Sequence, residues 1–271
     1  MSKLSSALTI AGTDPSGGAG IQADLKTFQE LKTYGMSVIT SVVAQNTTGV
    51  QNVQHLPVEF IEEQLQSVVS DMPVHAFKTG MIATKDMMQV IRKQMIEQNL
   101  PYVMDPVMVA TSGDVLIVEE ARGYLRDQLV PLATIVTPNI PEAEFLTGLE
   151  IQNFDDMKRA AKVIVHDLGA TSALIKGGHL EGDATDWLYD GNDFHTFAAD
   201  RIDTTSTHGT GCTYSAAITA YLGKGYELVE AVGLAKKFIT AALKHAYQIG
   251  HGNGPTNHWG IREETNEVKN Y

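Results

Sequence analysis

The sequence contains a single cysteine, Cys212, among its 271 residues. One thiol cannot form a disulfide within the chain, so a reducing compartment such as the cytosol is expected. One cysteine and scattered histidines also give no ligand spacing for a zinc ion. The first residues, Met1 to Ser6, lack the charged start and apolar run of a signal peptide. These absences predict a cytoplasmic protein without a disulfide or a zinc site.

Long apolar runs and positive charge are also scarce. No run of about 18 apolar residues occurs, so no membrane span is expected. The chain has 20 lysines and arginines against 32 aspartates and glutamates, which gives a formal charge of -12. A surface this acidic repels a phosphate backbone, which argues against nucleic acid as a partner. A nucleotide can still bind where backbone amides or a lysine override the overall field.

Short apolar strands alternate with longer helical patterns along the chain. A strand over Ala7–Ala11 precedes helical spacing over Ile21–Leu31, and a β-branched strand over Ser37–Val43 precedes a helix over Val58–Val69. This alternation predicts an α/β fold, a mostly parallel central sheet with helices on both faces. No repeat or long linker interrupts it, so residues 1–271 are expected to form a single domain. Further strands are predicted at His75–Thr79, Tyr102–Asp105, Thr134–Thr137 and Ser172–Lys176, and further helices at Lys85–Gln98, Glu119–Leu129, Asp155–Leu168, Gly211–Leu222 and Leu228–Ile249.

Two segments, Gly49–Pro57 and Trp187–Phe197, fit this alternation poorly. The second predicts a hairpin with Asp190-Gly191-Asn192 as its turn. In α/β sheets, ligands collect at the carboxyl ends of the strands. Glycines and polar residues that directly follow strands are therefore the candidate site residues.

The first candidate is the glycine-rich stretch Gly12–Gly20, which lies between a strand and a helix. Small residues let a backbone approach a ligand closely, and a helix N-terminus offers free amides. The stretch is neither a Walker A loop, since no Gly-Lys-Ser/Thr follows, nor a dinucleotide fingerprint, since the glycine spacing differs. By itself it is equally compatible with a flexible turn. Asp24, one turn further on, is by itself more typical of a solvated helix residue.

The second candidate is Thr207–Thr213, which opens a helix. Consecutive amides around two glycines form a nest that can bind an anion. Cys212 lies in the first helical turn, where the helix dipole is expected to lower the pKa of a thiol. The alternative is that Cys212 is a small buried hydrophobic residue.

Three further candidates follow other strands. Asn139 and Glu142 are one turn apart, which suits a hydrated Mg²⁺ and its phosphates, but the same pair can be a helix-capping box. Asp105 supplies a carboxylate, and Lys176–His179 supplies a cation and two glycines. By themselves, Asp105 and Lys176 are equally typical of the first exposed residue after a strand.

Taken together, these motifs resemble the hydroxymethylpyrimidine and phosphomethylpyrimidine kinase family, a branch of the ribokinase superfamily. The resemblance runs from about Ala7 to His258. It implies a ribokinase-like fold with small β elements that cover the substrate, and commonly a homodimer. It also implies phosphorylation by ATP, with Mg²⁺, of the hydroxymethyl group of 4-amino-5-hydroxymethyl-2-methylpyrimidine in thiamine biosynthesis, and then of its monophosphate. The most specific stretches are Ala7–Thr27, Ser37–Val50, Thr137–Glu144, Lys176–His179 and Thr207–Thr213.

The resemblance also implies roles for individual residues. Most ribokinase-like sugar kinases have an Asp as base where this branch has Cys212, which is therefore implied as the base or as an orienting group. Gln45 has a primary amide that can pair with a ring nitrogen and an exocyclic amine at once, so it is predicted to select the ring unless it only supports its loop. The implied positions are Gly209, Thr210, Gly211 and Cys212 at the transferred phosphate; Asp105, Asn139 and Glu142 at Mg²⁺ and the phosphates; Lys176, Gly177 and Thr207 at ATP; and Gly12, Asp24, Gln45, Met81 and Val107 around the pyrimidine.

Two other functions compete with this one. A pyridoxal kinase can use the same scaffold, but the similar pyridoxal kinases have a cysteine after an Asp-Pro-Val-Met motif. The corresponding segment here, Val109–Gly113, has none. A non-catalytic vitamin-binding protein is expected to have lost the Mg²⁺ or anion-binding residues, which are all present. The sequence leaves open a second phosphorylation and side activity on pyridoxine or pyridoxal.

Overall fold

A computed structural model of the protein describes residues 4–109, 113–114, 116–178 and 183–267. Within these ranges the chain forms ten strands and nine α-helices. The strands are β1 (Ser6–Ala11), β2 (Tyr34–Ile39), β3 (Ser41–Asn46), β4 (Gly49–His55), β5 (Ala76–Thr79), β6 (Tyr102–Met104), β7 (Ile135–Val136), β8 (Ala173–Ile175), β9 (Asp186–Tyr189) and β10 (Phe194–Phe197). The helices are α1 (Gly20–Glu30), α2 (Val58–Val69), α3 (Lys85–Gln98), α4 (Glu119–Tyr124), α5 (Ile140–Thr147), α6 (Phe154–His166), α7 (Thr210–Gly223), α8 (Leu228–Lys244) and α9 (Gly260–Glu267).

Eight of these strands form one sheet in the order β10-β9-β8-β7-β6-β5-β1-β2. The strands from β8 to β2 run parallel, with Leu8 of β1 opposite Met36 on one side and Phe77 on the other. The predicted hairpin, β9 and β10, adds two antiparallel strands at the far edge. Strands β3 and β4 pair only with each other, as a separate antiparallel ribbon. The predicted α/β class with a mostly parallel sheet is confirmed.

Both faces of the sheet are covered by helices, as the apolar strand sequences predict. Leu8 and Ile10 of β1 point into the larger core, where helices α2 to α6 pack. Ala7 points to the opposite face and packs against Ala216 and Ala220 of α7. Small side chains on both surfaces let α7 lie close to the sheet. None of the helices in the described ranges is long and apolar enough to cross a lipid bilayer.

The predicted strand Ser37–Val43 is two strands that belong to different sheets. The chain turns at Thr40, whose amide donates to the Ala11 carbonyl at 3.0 Å and whose hydroxyl donates to the Met81 carbonyl at 2.9 Å. The two bonds fix Thr40 to the end of β1 and to the segment after β5, and the chain leaves the main sheet there. Gln45 therefore lies inside β3, and Gly49–Pro57, which fitted the helical alternation poorly, contains β4.

Two predicted helices also have different limits. The helix predicted to reach Ile249 ends at Lys244, because the carbonyls of Ala242 and His245 accept hydrogen bonds from Asn257 at 3.0 and 2.9 Å. The chain then leaves the helix, and Ile249 is exposed. The helix predicted over Glu119–Leu129 starts as α4 and continues as a π-helical turn over Leu125–Leu129.

A fully buried ion pair joins the sheet to α1. Lys78 Nζ of β5 lies 3.0 Å from Asp24 Oδ2, and neither side chain has any exposure to solvent. The Thr9 hydroxyl donates to the same oxygen at 2.5 Å. Burial raises the pKa of Asp24, while the Lys78 charge and the Thr9 hydroxyl oppose that rise. Each charge of this pair therefore depends on its partner.

We expect Lys78→Met to lower the free energy of unfolding by about 3–5 kcal/mol, because it leaves a buried carboxylate without its cation. The double variant Lys78→Met/Asp24→Leu should recover much of that loss. Urea unfolding measures both. The matched control is Lys93→Met, which breaks an exposed pair with Glu62 and should cost at most about 1 kcal/mol. If Lys78→Met lowered the free energy of unfolding by no more than Lys93→Met, Asp24 would be protonated in the folded chain.

Candidate active site

A cavity of about 770 Å³ opens at the carboxyl ends of the parallel strands. The segments that follow β1, β5, β6, β7 and β8 line it, together with the start of α7 and part of the β3–β4 ribbon. This is the edge of the sheet at which α/β proteins bind ligands. All but two of the residues predicted for the site line this cavity: Gly12, Gln45, Met81, Asp105, Val107, Asn139, Glu142, Lys176, Thr207, Gly209, Thr210, Gly211 and Cys212.

Asp24 and Gly177 are the two exceptions, and neither makes the predicted direct contact with the cavity. The Asp24 carboxylate is completely buried beside Lys78, on the face of α1 that packs on the sheet. Gly177 is buried too, and its amide donates to Asp186 at 3.0 Å. A Cβ atom at Gly177 would lie 1.9 Å from the Thr185 carbonyl, so this glycine serves a close packing contact. The following residue, Gly178, lines the cavity instead.

Two glycine-rich loops meet at the cavity: the first loop, residues 12–20, and the second loop, residues 207–213. Gly209 of the second loop has a φ of 80°. A Cβ atom there would lie 1.7 Å from the carbonyl oxygen of Gly18 in the first loop. Glycine is therefore required at position 209 both by its backbone conformation and by this approach.

Lys176 and Asp105 face the start of α7. Lys176 Nζ lies 3.2 Å from Asp105 Oδ1, and the Ser215 hydroxyl lies 3.2 Å from Asp105 Oδ2. A Cβ atom at Gly211 would lie 3.2 Å from Lys176 Nζ, so the lysine comes very close to the helix backbone. The first-turn amides of a helix have no acceptor within the helix. Those of Gly211 and Cys212, with Lys176, form a cradle suited to an anion.

Cys212 is half-buried and lines the cavity. Burial raises the pKa of its thiol to about 12, and the Lys78 charge and the Gly20 amide only partly oppose the rise. The expectation that the helix N-terminus lowers the pKa of Cys212 is therefore wrong. Burial raises it instead, which favours the neutral thiol at pH 7.

Asn139 and Glu142 form the capping box that the sequence left open as an alternative. The Asn139 side chain accepts from the Glu142 amide at 2.9 Å, and the Glu142 carboxylate accepts from the Asn139 amide at 2.9 Å. Burial raises the pKa of Glu142 to about 7, with Lys176 opposing the rise and Asp105 adding to it. The carboxyl thus caps α5 and also faces the cavity.

The donors at this end of the cavity fit a magnesium ion. Asp105 and Glu142 both line the cavity and offer hard carboxylate oxygens, and the Asp105 charge acts on Glu142. In the described part of the chain, no group of three or more His, Cys, Asp and Glu side chains could hold a metal by itself. Magnesium commonly takes one or two carboxylates and completes its octahedron with waters and substrate phosphates. Two carboxylates beside an anion cradle match that pattern.

The sequence candidates leave out Lys236 and Asp186, and they include Asp14 and His208 only as unassigned members of the two glycine-rich stretches. Lys236 of α8 lies 2.7 Å from Asp186 of β9, and its ammonium also donates to the Ala184 carbonyl at 2.7 Å. Both residues line the far end of the cavity. His208 lies on the cavity and contacts Asp14, a residue 194 positions away. The position of Asp14 shortly after the first predicted strand is a weak sign of a site residue. Nothing in the adjacent sequence indicates that its partner is His208.

A glycine-bounded anion cradle at the carboxyl edge of a parallel sheet, faced by a lysine and two carboxylates and covered by a small β ribbon, defines a ribokinase-like small-molecule kinase. The chain belongs to the phosphomethylpyrimidine kinase family, whose sequence model matches residues 14–257. A hydroxymethylpyrimidine/phosphomethylpyrimidine kinase from Staphylococcus aureus strain MSSA476 is 49% identical over 262 residues, which are 96% of this chain and 95% of that protein.

Solved structures agree with this assignment. A phosphomethylpyrimidine kinase from Clostridium difficile 630 is similar with a TM-score of 0.80 and 48% identity, over 89% of this chain and 100% of that one. A pyridoxal kinase from Staphylococcus aureus, in complex with AMP-PCP and pyridoxal, is similar with a TM-score of 0.86 and 39% identity, over 96% and 95% of the two chains. The fold is thus shared by kinases of two different vitamin rings.

The pKa of Cys212 predicts a distinctive alkylation profile. An ordinary thiol has a pKa of about 8.5, so its alkylation rate levels off near pH 9 to 10. We expect the rate at Cys212 in the folded protein to keep rising up to pH 10 and to be at least about 100-fold below that of an ordinary thiol at pH 8. The same chain in urea is the control, since it has no other cysteine. Mass spectrometry gives both rates. A plateau below pH 9 would show that the pKa of Cys212 is not raised.

Proposed function

We propose that this protein transfers the γ-phosphoryl group of ATP to the hydroxymethyl group of 4-amino-5-hydroxymethyl-2-methylpyrimidine, and then phosphorylates the monophosphate, in thiamine biosynthesis. The observation that carries the proposal is that Gln45, Cys212 and the Lys176–Asp105 pair line one cavity. This arrangement joins a group that can recognise an aminopyrimidine to a cradle for a transferred phosphate. The names of the similar proteins support the same substrate.

The proposed phosphoryl transfer depends on fixed positive charge at the start of α7. Charge on the transferred group is distributed over its three equatorial oxygens, so catalysis is mainly positioning and electrostatic stabilisation. The Lys176 ammonium lies close to the backbone at Gly211. It and the first-turn amides of α7 can therefore act on the same phosphate without a rearrangement of the chain. Asp105 and Glu142 would hold Mg²⁺, which neutralises the phosphate oxygens of the nucleotide.

The proposed role of Cys212 is to orient the acceptor hydroxyl. A thiol whose pKa is raised to about 12 is protonated at pH 7 and cannot take up a proton before phosphoryl transfer begins. In a loose transition state the acceptor proton leaves late, so a strong base is not needed early. A neutral thiol can still hydrogen-bond the hydroxyl. Of the two roles that the sequence left open for Cys212, the structure therefore favours orientation.

The other end of the cavity suits a nucleoside. Apolar side chains of Ile202, Ile239 and Leu243 line it beside Lys236 and Asp186. Flat apolar rings are commonly bound in such places, with a few polar groups that fix their orientation. We assign this end to the adenosine of ATP, which leaves the ribbon end, with Gln45, to the phosphoryl acceptor.

The proposal also covers the working state of the protein. We propose that it acts as one kinase domain, as a homodimer, in the cytoplasm. The β3–β4 ribbon pairs with no strand of the main sheet and exposes Val42 by 47%, so each of its strands keeps an unpaired edge at which a second copy can dock. The sole cysteine, with its neutral thiol, is compatible with a reducing compartment.

The proposed substrate choice depends on Gln45. Its amide offers a donor and an acceptor that match the ring nitrogen and amino group of the pyrimidine, whereas pyridoxal presents a phenolic oxygen and an aldehyde. We expect Gln45→Met to reduce kcat/KM for the aminopyrimidine by about 30-fold or more, roughly 2 kcal/mol, and to change pyridoxal turnover little. Gln51→Met, an exposed glutamine of the same ribbon, is the control.

An ATP-consumption assay across the aminopyrimidine, its monophosphate, pyridoxal and pyridoxine tests the function itself. The highest kcat/KM should belong to the aminopyrimidine, with turnover of its monophosphate. A preference for pyridoxal would make the protein a vitamin B6 kinase, the function that its structural likeness to a pyridoxal kinase offers as second candidate. The segment Val109–Gly113, whose lack of a cysteine argues against a pyridoxal kinase, includes residues 110–112, which lie outside the described ranges. If Gln45→Met lowered kcat/KM equally for the aminopyrimidine and for pyridoxal, Gln45 would only stabilise the β3–β4 ribbon.

The proposed metal role of Glu142 predicts a Mg²⁺-dependent defect. Glu142→Gln keeps an oxygen that can accept from the Asn139 amide, so the cap is retained while the charge is removed. We expect kcat to fall about ten-fold or more at low Mg²⁺ and to recover partly as Mg²⁺ is raised. Glu144→Gln changes a carboxyl of the same helix that accepts from the Ile151 amide and should not alter the Mg²⁺ dependence. Identical Mg²⁺ titrations of Glu142→Gln and the unaltered protein would leave Glu142 as a helix cap only.

A further inference from the structure

Asp14 and His208 connect the two glycine-rich loops. His208 Nε2 lies 2.7 Å from Asp14 Oδ2. Burial raises the pKa of Asp14, but hydrogen bonds from His208 and Ser16 outweigh burial and hold it well below its ordinary value. Asp14 is therefore a carboxylate, which can only accept, so the imidazole donates from Nε2. Neither residue has a part in the proposed phosphoryl transfer.

Asp14 holds the first loop together. Its Oδ1 accepts from the amide and hydroxyl of Ser16, at 2.9 and 2.7 Å. Its Oδ2 accepts from the amides of Gly18 and Ala19, at 3.0 and 2.7 Å, in addition to His208. The side chain has no exposure to solvent. The position of this one carboxylate therefore sets the path of the loop, whose two ends, Gly12–Thr13 and Ala19–Gly20, line the cavity.

His208 is fixed from the opposite side as well. Its amide donates to the Gly254 carbonyl at 2.9 Å, and its carbonyl accepts from the Thr256 amide at 3.3 Å. A Cβ atom at Gly18 would lie 2.6 Å from His208 Cδ2, so the glycine leaves room for the ring. The imidazole thus fills the space between the first loop and the C-terminal segment, directly before the cradle.

We propose that His208 is a positioning residue. Its hydrogen bond to Asp14 sets the distance between the first loop, at the acceptor ring, and the cradle at the transferred phosphate. The close contact of Gly209 with Gly18 stops the two loops from moving closer. The bond to Asp14 stops them from separating. The distance between acceptor hydroxyl and phosphorus follows from these two contacts, and this inference rests on the proposed function.

Three substitutions at His208 test the proposal kinetically. His208→Leu removes the donor at similar bulk, His208→Asn has a donor that is too short to reach, and His208→Gln restores a donor. A misplacement of about 1 Å can cost about 100-fold in rate. We expect kcat to fall about 100-fold in the Leu and Asn variants while both KM values stay within about three-fold, and Gln to retain kcat within about ten-fold. ATP hydrolysed per pyrimidine phosphorylated should rise in the Leu and Asn variants, because water replaces a misplaced acceptor.

The alkylation rate of Cys212 provides a readout that needs no substrate. Cys212 is in the cradle and is the sole cysteine, so its rate reports how firmly the second loop is held. We expect His208→Leu to raise the rate about ten-fold, the worth of one lost hydrogen bond, and His208→Gln to leave it near that of the unaltered protein. His195→Leu is the matched control, because it breaks a His–Asp pair of 2.8 Å with Asp190 on the hairpin.

The outcomes separate the two proposals. The positioning role would be overturned if His208→Gln lost as much kcat as His208→Leu and raised the alkylation rate of Cys212 by as much. A loss of kcat that follows thermal stability, with an unchanged ratio of hydrolysis to transfer, would overturn it as well. If the unaltered protein phosphorylates none of the ring substrates, the proposed function fails. The alkylation rates then still decide whether His208 holds the second loop.

Discussion

The site depends on one backbone contact, the approach of Gly209 to the carbonyl of Gly18. A Cβ atom at position 209 would lie 1.7 Å from that oxygen, so no other residue fits without moving a loop. The same closeness continues below the site, where Ala216 and Ala220 of α7 pack on Ala7 of β1. Small residues therefore bring the start of α7 directly over the strand ends. Since the contact is between backbones, it fixes the anion cradle without using a side chain that the chemistry needs.

Charge in and around the cavity is arranged as close pairs. Lys176 is paired with Asp105, Lys78 with Asp24 and Lys236 with Asp186, at distances between 2.7 and 3.2 Å. The charge of each lysine is neutralised by its aspartate before a ligand binds. The remaining positive potential at the cradle therefore comes largely from the helix amides. A chain with a formal charge of -12 would otherwise repel a nucleotide at long range. A divalent cation between the carboxylates and the phosphates would resolve that repulsion locally, which accounts for two acidic groups in an anion site.

The sequence predicted what depends on local pattern, and failed where distant residues decide. The strand ends and glycine turns were found because each is written in a few adjacent residues. The burial of Asp24 depends on Lys78, 54 positions away, and the partner of Asp14 is 194 positions away. The break of the predicted strand at Thr40 follows from hydrogen bonds to other segments. The prediction of a lowered Cys212 pKa was wrong for the same reason, since the sequence shows the start of a helix but not the burial that raises the pKa.

That burial bears on the presence of a thiol where the sugar kinases of the superfamily have an aspartate. Asp24 and Asp105 already act on position 212, and both raise the pKa of the thiol there. A carboxylate would place a third negative charge in the same buried region, where like charges oppose each other's ionisation. It would also compete with the phosphate for the cation of Lys176. A neutral thiol keeps the cradle positive and can still orient a hydroxyl. Replacement of the aspartate by a thiol is consistent with a reaction in which the acceptor proton leaves late. In such a reaction a weak base slows phosphoryl transfer little.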